Sequence, residues 1–230
     1  MARCLPKAQR GGVKTFKPLL LLAAVLALNN GCSTSGHTKA GQTSSSLQKA
    51  AQDVDKANEQ VETVRAALTD LVSNPGDNLK PQFQKFTAEV SKLESFANDI
   101  SNHAAAMQSR GAAYFQQWDA ELAKIHNEDI RTRSQDRRNV VAARFDLVRV
   151  NYSQTKTAFA PLMSDLKDIR TALGTDLTTG GLASVRGSVS KANSDTPAVR
   201  ESLGRLAADF KELGISLSTA TPPVKFTQDK

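Results

Sequence analysis

Apolar residues recur in this chain at alternating steps of three and four, and this spacing constrains the fold more than any other feature. The clearest stripe is formed by Leu47, Ala50, Val54, Ala57, Val61, Val64, Leu68 and Leu71. Because an α-helix turns once every 3.6 residues, positions with this spacing share one face of a helix. The stripe therefore predicts an amphipathic helix that packs against other helices.

Similar stripes follow in three further segments, so we predict an all-α fold. It is an elongated antiparallel bundle or coiled coil of about four helices, at residues 47–73, 81–126, 136–173 and 182–213. Pro161 falls inside the third helix and should kink it, because proline removes a backbone hydrogen bond there. In the fourth segment Thr196 and Pro197 resemble a helix start, which leaves open a division into two halves.

The connection between the second and third helices has two interpretations. Ile130 is the only large apolar residue between Ile125 and Val140, and the apolar repeat changes phase across this stretch. The phase change favours a hairpin that turns near residues 126–135 and brings Trp118 close to Phe145. A continuous or bent rod is the alternative, because no glycine or proline marks the turn.

Several apolar residues lie beside the stripes rather than on them. They are Val72, Phe96, Phe115, Leu122, Val140 and Leu147. The apolar faces are thus wider than a two-helix seam needs, which favours three or four helices in mutual contact. The second and third helices are predicted to be longer than the outer two, so their tip is expected to project beyond the bundle.

Residues 1–31 have the pattern of a cleaved signal peptide. Five basic residues and no acidic residue occur in this stretch, and an apolar run at residues 19–28 follows the last of them. At ~1.5 Å per residue the run spans ~15 Å as a helix, about half of a bilayer core, which is too short for a stable membrane span. The charged start, the short apolar centre and the small Gly31 at the end are typical of an export signal.

Cys32 follows Gly31 directly, and this junction resembles the cleavage site of a bacterial lipoprotein signal. In that class the cysteine becomes the first mature residue and carries acyl chains. The resemblance implies a lipid anchor on Cys32, and Ser33 beside it implies the outer rather than the inner membrane, facing the periplasm. Ordinary cleavage with a free thiol and an uncleaved anchor remain alternatives, since Asn29 and Asn30 depart from the usual pattern.

The leader also accounts for most of the basic charge. The chain has 30 basic and 23 acidic residues, a net charge of +7. Without the five basic residues of the leader, 30 − 5 = 25 basic residues face 23 acidic ones, a net of +2. A nucleic-acid groove needs a dense basic face, so we expect no nucleic-acid partner.

After the leader, the sequence divides into a tether, a bundle and a tail. Residues 32–46 read as the lipidated cysteine and a flexible tether, because the stretch is small and polar. Residues 47–214 are predicted to form the helical bundle domain, and residues 215–230 are predicted to be a disordered tail. No phosphate-binding loop, dinucleotide fingerprint, zinc motif or nucleophile elbow is found, so we expect neither an enzyme nor a cofactor.

One cluster of charges is a candidate binding site. It consists of Arg131, Arg133, Arg137 and Arg138 at the proposed tip. Guanidinium groups bind phosphates, lipid headgroups or carboxylates through paired hydrogen bonds. The competing interpretation is a solvated turn, in which Glu128, Asp129 and Asp136 balance the arginines.

Four features resemble a known family, the proteobacterial envelope lipoproteins that consist of one long helical domain of unknown function. They are the Cys32 leader, Tyr114–Trp118, the stretch Arg131–Arg138 with Ser134, and Ala160–Leu162 followed by Leu166–Asp168. The resemblance implies a location and a fold but no activity. We therefore expect a non-enzymatic scaffold or tether that contacts the membrane through Cys32 and binds an unidentified envelope protein, with self-association left open. The alternative is a bundle that binds a lipid or another apolar ligand between its helices.

Overall fold

A computed structural model of the protein describes residues 36–218, and this part of the chain forms four α-helices. They are α1 (Gly36–Ser73), α2 (Lys80–Leu122), α3 (Glu128–Thr175) and α4 (Thr179–Leu217). The described range contains no strand. The predicted all-α bundle of about four helices is confirmed.

Each helix packs against two neighbours. Helix α1 lies next to α2 and α4, and α3 also lies next to α2 and α4, whereas the backbones of the diagonal pairs stay farther apart. Short links join successive helices, so neighbours run antiparallel. One end of the bundle is formed by the start of α1, the end of α2, the start of α3 and the end of α4, and we call it the hairpin end. The opposite end carries the links at residues 74–79 and 176–178.

The core follows the predicted stripes. All eight stripe residues of α1 are buried. The ten residues of the stripe in the fourth segment are buried as well, and they are Leu182, Val185, Val189, Ala192, Thr196, Val199, Leu203, Leu206, Phe210 and Leu213. Ala51 and Ala67 of α1 are buried as well, so α1 covers more of its surface than a two-helix seam requires. At the hairpin end α1 and α4 approach closely, and the buried hydroxyl of Ser44 donates to the carbonyl of Gly214 at 2.7 Å.

Helices α2 and α3 form the predicted hairpin, but its turn occupies residues 123–127 rather than 126–135, because α2 ends at Leu122 instead of at residue 126. The side chain of Asn127 accepts from the backbone N–H of Ile130 at 3.1 Å and caps α3. Glu128 and Asp129 follow in the first turn, where negative charge is favoured by the helix dipole. Helix α3 therefore begins eight residues earlier than predicted, because the cap fixes its start before the apolar repeat appears.

Two helix ends also correct the predicted domain limits. Residues 36–46, predicted as part of the flexible tether, form the first turns of α1, and the Ser44 contact with α4 explains why small polar residues are ordered there. Residues 215–217, predicted as tail, complete α4. The predicted leader, Gly31 and Cys32 lie outside the described residues, as does the tail beyond Ser218.

Both internal prolines lie within helices that continue past them. Helix α3 continues through Pro161 and α4 continues through Pro197. The division of α4 at Pro197 was therefore wrong. Thr196 is buried and donates to the carbonyl of Ala192 at 2.8 Å, so it acts inside the helix rather than as a cap. The kink at Pro161 stays a prediction.

The off-stripe residues behave in two ways. Leu122 is buried, and Val72, Phe96 and Phe115 pack partly against the core, as predicted from the wide apolar faces. Val140 and Leu147 of α3 are 50% and 51% exposed, so the expectation that they widen the buried face was wrong. They lie on the outer side of α3, where no helix of the bundle covers them.

Candidate functional site: the hairpin end of the bundle

The four arginines of the predicted site do not converge. Positions 131 and 138 lie on the side of α3 that faces α2, whereas positions 133 and 137 lie on the side that faces α4. The four guanidinium groups therefore have different surroundings. The structure therefore contains no four-guanidinium site.

Arg138 joins the two helices of the hairpin. Its Nε and Nη2 donate to the two carboxylate oxygens of Asp119 on α2, both at 2.9 Å. The same guanidinium lies over the ring of Phe115, 4.9 Å from its centroid. A bidentate pair of this kind fixes the register of the two helices and leaves little capacity for a ligand.

Arg131 and Arg137 also have partners within the chain. Arg131 pairs with Glu128 one turn earlier in α3. Arg137 donates to the carbonyl of Ser216, near the end of α4, where a positive charge offsets the negative end of the helix dipole. Arg133 is exposed and forms no ion pair or hydrogen bond with another described residue. Of the four predicted binding residues, Arg133 alone has no partner among the described residues.

An aromatic cluster lies beneath these charges. Tyr114 contacts Phe115 and Trp118 edge-on, and Phe115 contacts Phe145 of α3 with ring centroids 5.3 Å apart. The indole N–H of Trp118 donates to the hydroxyl of Ser134 at 3.3 Å. Trp118 was predicted close to Phe145, but Phe115 occupies that place, so the predicted pairing was about one turn out of register.

Gly111 makes room for this cluster. A Cβ atom at position 111 would lie 2.5 Å from Cε1 of Phe145, which is closer than such atoms approach. The glycine stands in the apolar stripe of α2, and its place there was the only sequence signal for this contact. Burial raises the pKa of the nearby Tyr114, while the charge of Arg137 acts in the opposite direction and is the weaker effect.

The large apolar residues with the greatest exposure are Ile130, Val140, Leu147, Val150 and Ile215. Ile130 is 57% exposed in the first turn of α3, and Ile215 is 63% exposed in the last turn of α4. Both turns belong to the hairpin end. The other three lie on α3, in the half of the helix that starts at this end. Exposed apolar surface is thus concentrated in one half of the bundle.

A cavity of about 240 Å³ opens between α1 and α2 near the hairpin end. Apolar side chains line its depth, among them Leu47, Met107 and Phe210. Lys49 and Arg110 lie at its mouth, and neither has an acidic partner among the described residues. Arg110 reaches across from α2 and donates to the hydroxyl of Ser46 at 3.1 Å. Sequence reasoning missed this site, because its α1 members and its α2 members are more than fifty residues apart in the chain.

His103 also lines this cavity, and Asp53 holds it in place. Nε2 of His103 lies 3.0 Å from a carboxylate oxygen of Asp53. Burial acts to raise the pKa of Asp53, but hydrogen bonds from Lys56 and His103 outweigh it, so the pKa lies below its usual value. Asp53 thus stays ionised at neutral pH and makes an ion pair rather than acting as a proton donor.

A second opening, also about 240 Å³, separates α2 from α3 in the middle of the bundle. Its floor is formed by Ala57 of α1 and Leu203 of α4, which are buried. Tyr152 and Phe159 of α3 line its wall and remain partly exposed. The groove beside these two aromatic residues explains why they are only half covered.

Toward the opposite end, α2 and α3 come together again. Arg170 of α3 donates to both carboxylate oxygens of Glu94, at 3.2 and 3.1 Å, and Lys167 lies 3.4 Å from the same group. The Arg170 hydrogen bonds lower the pKa of Glu94 below its usual value. Ion pairs therefore hold α2 and α3 on both sides of the central groove.

Residues 36–218 lack both a metal-binding cluster and a membrane-spanning helix. No group of three or more histidine, cysteine or acidic side chains in this range is arranged to hold a metal ion. None of the four helices is apolar over a sufficient length to cross a bilayer.

Comparison with known proteins gives a family but no function. No curated protein and no solved structure matches this chain. One family does match, over residues 30–209, and it is described as "Protein of unknown function (DUF2959)". The match covers all of α1, α2 and α3 and most of α4. The chain therefore belongs to the DUF2959 family of proteins of unknown function.

Proposed function

We propose that the protein is a non-enzymatic lipoprotein of the bacterial cell envelope that acts as a scaffold or tether. Acyl chains on Cys32 hold it in the outer membrane, and the bundle presents a long surface to an envelope protein in the periplasm. The observation that carries this proposal is the placement of Cys32 directly after a basic and apolar leader, which resembles an export signal, and just before a bundle of four helices.

The anchor is argued from the basic and apolar leader and from the position of Cys32 directly after Gly31. Each buried CH₂ of an acyl chain adds ~0.8 kcal/mol of membrane affinity, so two or more chains give stable attachment.

The character of the bundle supports a scaffold rather than an enzyme. At ~1.5 Å per residue, the 48 residues of α3 extend over roughly 72 Å. The carboxylates with lowered pKa values, Asp53, Glu62, Glu89 and Glu94, all take part in ion pairs or hydrogen bonds with neighbouring side chains. Such pairs stabilise a surface and do not poise a group for proton transfer.

The anchor is tested by Cys32→Ser in cells, followed by separation of soluble and membrane fractions. We expect the variant to leave the membrane, since it has no thiol to acylate. Cys4→Ser is the matched control, because Cys4 is the only other cysteine and lies in the predicted leader. Retention of Cys32→Ser in salt-washed membranes would show that the lipid anchor is wrong. Density-gradient separation of the two membranes tests the outer-membrane location.

The partner is sought by photocrosslinking in living cells. A crosslinker at position 133 samples the one predicted arginine that has no partner in the described structure, and a crosslinker at position 77 samples the opposite end. We expect an envelope protein to be captured from one of these sites reproducibly. A bundle that captures nothing from either end or from its outer faces is not a scaffold.

A second candidate function is the binding of an apolar ligand, and the α1–α2 cavity favours it. The cavity combines an apolar interior with two cations that lack acidic partners, Lys49 and Arg110. An apolar interior of this kind can bind the tail of a fatty acid, and the two cations can bind its carboxylate. Its volume is below the ~300 Å³ at which pockets for small molecules begin, so a medium-length chain suits it best.

This candidate is tested with a diazirine analogue of decanoate, crosslinked to the full-length protein in isolated membranes. Ala106→Leu fills the cavity and is expected to reduce labelling, whereas Ala105→Leu on the exposed side of the same turn is not. Lys49→Gln with Arg110→Gln should reduce labelling about tenfold, the value of one charged hydrogen bond. Equal labelling of all these variants would exclude the cavity as the site.

A further inference from the structure

The start of α1 fixes which end of the bundle lies closest to the anchor. Only Ser33, Thr34 and Ser35 separate Cys32 from Gly36, the first residue of α1. Four peptide units reach at most ~14 Å when fully extended. This is short beside the length of the bundle, so the end that contains Gly36 stays close to whatever holds Cys32.

That end is the hairpin end. Ser46, near the start of α1, accepts from Arg110 in the last third of α2, and Ser44 donates to Gly214 near the end of α4. Arg137 of α3 reaches Ser216 at the same level. Since α4 stops at Leu217, the first two turns of α3 extend past it. The α2–α3 turn is therefore on the anchored side of the molecule and not at its far tip.

The exposed apolar residues lie on the same side. Ile130 and Ile215 are more than half exposed there, and Val140 is half exposed about three turns further along α3. None of the largest exposed apolar residues lies at the opposite end, in the part of the chain that the structure describes. An apolar residue in the first turn of a projecting helix favours membrane binding when the water–lipid boundary covers it, because its apolar surface leaves water.

We propose that the hairpin end faces the lipid surface of the leaflet that holds Cys32, with Ile130 at the boundary between headgroups and acyl chains. The inference rests on the proposed acylation of Cys32. It gives the bundle an orientation: the links at residues 74–79 and 176–178 point away from the membrane. The arginines at positions 131–138 then lie near headgroups rather than near a distant partner.

Apolar contact rather than net charge holds this surface. The segment from Asp119 to Arg138 contains five basic and five acidic residues, so its net charge is zero. Arg131 and Arg138 are paired with acidic residues of the same segment. We therefore expect the orientation to be the same on zwitterionic and on anionic lipids, unlike that of a polybasic segment.

The chain carries its own probe for this orientation. Trp118 is the only tryptophan, and it lies in the last turns of α2 at the hairpin end. Two further single-tryptophan chains, made in the Trp118→Phe background, carry Ile130→Trp at the tip and Leu177→Trp in the α3–α4 link. Full-length protein purified with its anchor is placed in vesicles whose lipids carry bromine on the acyl chains, a short-range quencher of tryptophan. Flotation of the vesicles first shows whether the protein is bound.

We expect quenching to be strongest at position 130, weaker for Trp118 and absent at position 177. Ser134 contacts Trp118, and Thr175 is the last residue of α3 before the link that carries position 177. These two residues are about 60 Å apart along α3, so the two ends cannot both touch the bilayer if the bundle stands upright. Equal quenching at 118 and 177 means a bundle that lies flat, and stronger quenching at 177 means the reverse orientation. Either result overturns the proposal. Protein that does not float with the vesicles refutes the anchor instead, so the two failures are distinguishable.

Discussion

The α1–α4 seam and the α2–α3 seam are built from the same kind of helix, yet they differ in how closely they pack. The α1–α4 contact is the most extensive in the bundle, and small residues such as Ser44 and Gly214 let the two backbones approach. The α2–α3 contact is the least extensive, and the central groove opens between its two helices. Ion pairs and aromatic rings join α2 and α3 on either side of the groove.

The difference shows that the apolar repeat specifies which face of a helix packs against its neighbours, but not how closely the neighbouring helices approach. Large side chains at matching levels, such as Phe115 opposite Phe145, hold two helices apart. Small side chains at matching levels draw helices together, and dispersion contacts accumulate along the seam. A tight seam is sensitive to added volume, whereas an open seam has room for it.

The largest expected effect comes from replacing an alanine by leucine, once in the α1–α4 seam and once beside the groove of the α2–α3 seam. Ala51 is buried and lies seven residues from both Ser44 and Asn58, which contact α4, so it shares their face. Ala51→Leu should destabilise the protein by about 1–3 kcal/mol through overpacking. Ala97→Leu, which points a similar volume toward the groove, should change stability by about 0.5 kcal/mol or less. Urea unfolding followed by circular dichroism measures both, and equal losses would contradict the distinction between the seams.

A second test concerns the contact between Gly111 of α2 and the ring of Phe145 of α3. Gly111→Ala forces a Cβ atom against Phe145, and we expect a loss of about 1–2 kcal/mol despite the better helix propensity of alanine. Gly187→Ala on α4 is the control, since nothing lies within 4 Å of the added atom, and it should be stabilising. Combining Gly111→Ala with Phe145→Leu should recover most of the loss. A Gly111→Ala protein as stable as Gly187→Ala would show that the ring moves without cost.

The ion pair at Glu94 makes the α2–α3 seam dependent on pH. Its pKa in the folded protein lies below the ordinary value of 4.5, so its stabilising contribution is present above that value and is lost as the pH falls through the folded pKa. At pH 7, Glu94→Gln should be less stable by about 1 kcal/mol, and the difference from the native protein should vanish in strongly acidic solution. Glu201→Gln, which removes an exposed pair within α4, is the control and should have little effect at any pH. A difference that persists in acid would assign the loss to packing.

The smallest expected effect is at Trp118. Trp118→Phe removes the hydrogen bond to Ser134 and should cost about 0.5–1 kcal/mol. Ser134→Ala should cost a similar amount, and the double variant should cost less than the sum, because both changes remove one interaction. Strict additivity in urea unfolding would show that this hydrogen bond does not hold the hairpin end together.

How much of the candidate site the sequence predicts depends on the range of the interaction. Glu128 and Arg131 lie one turn apart, so their pairing is readable from spacing. The pairing of Arg138 with Asp119 depends on the register of the hairpin. The change of phase in the apolar repeat predicts this register only to within about one helical turn. The α1–α2 cavity joins residues of three helices, and no local pattern marks it.

The sequence by itself determined the all-α fold, the number of helices and the identity of most core residues. The reason is that the alternating spacing of apolar residues is a local consequence of helix geometry. Only the tertiary structure decided which seams close and which stay open, where the arginines find their partners, and that residues 36–46 join α1. These properties depend on the volumes and charges that meet across helices, and residues such as Ser44 and Gly214 that meet there are 170 positions apart in the chain.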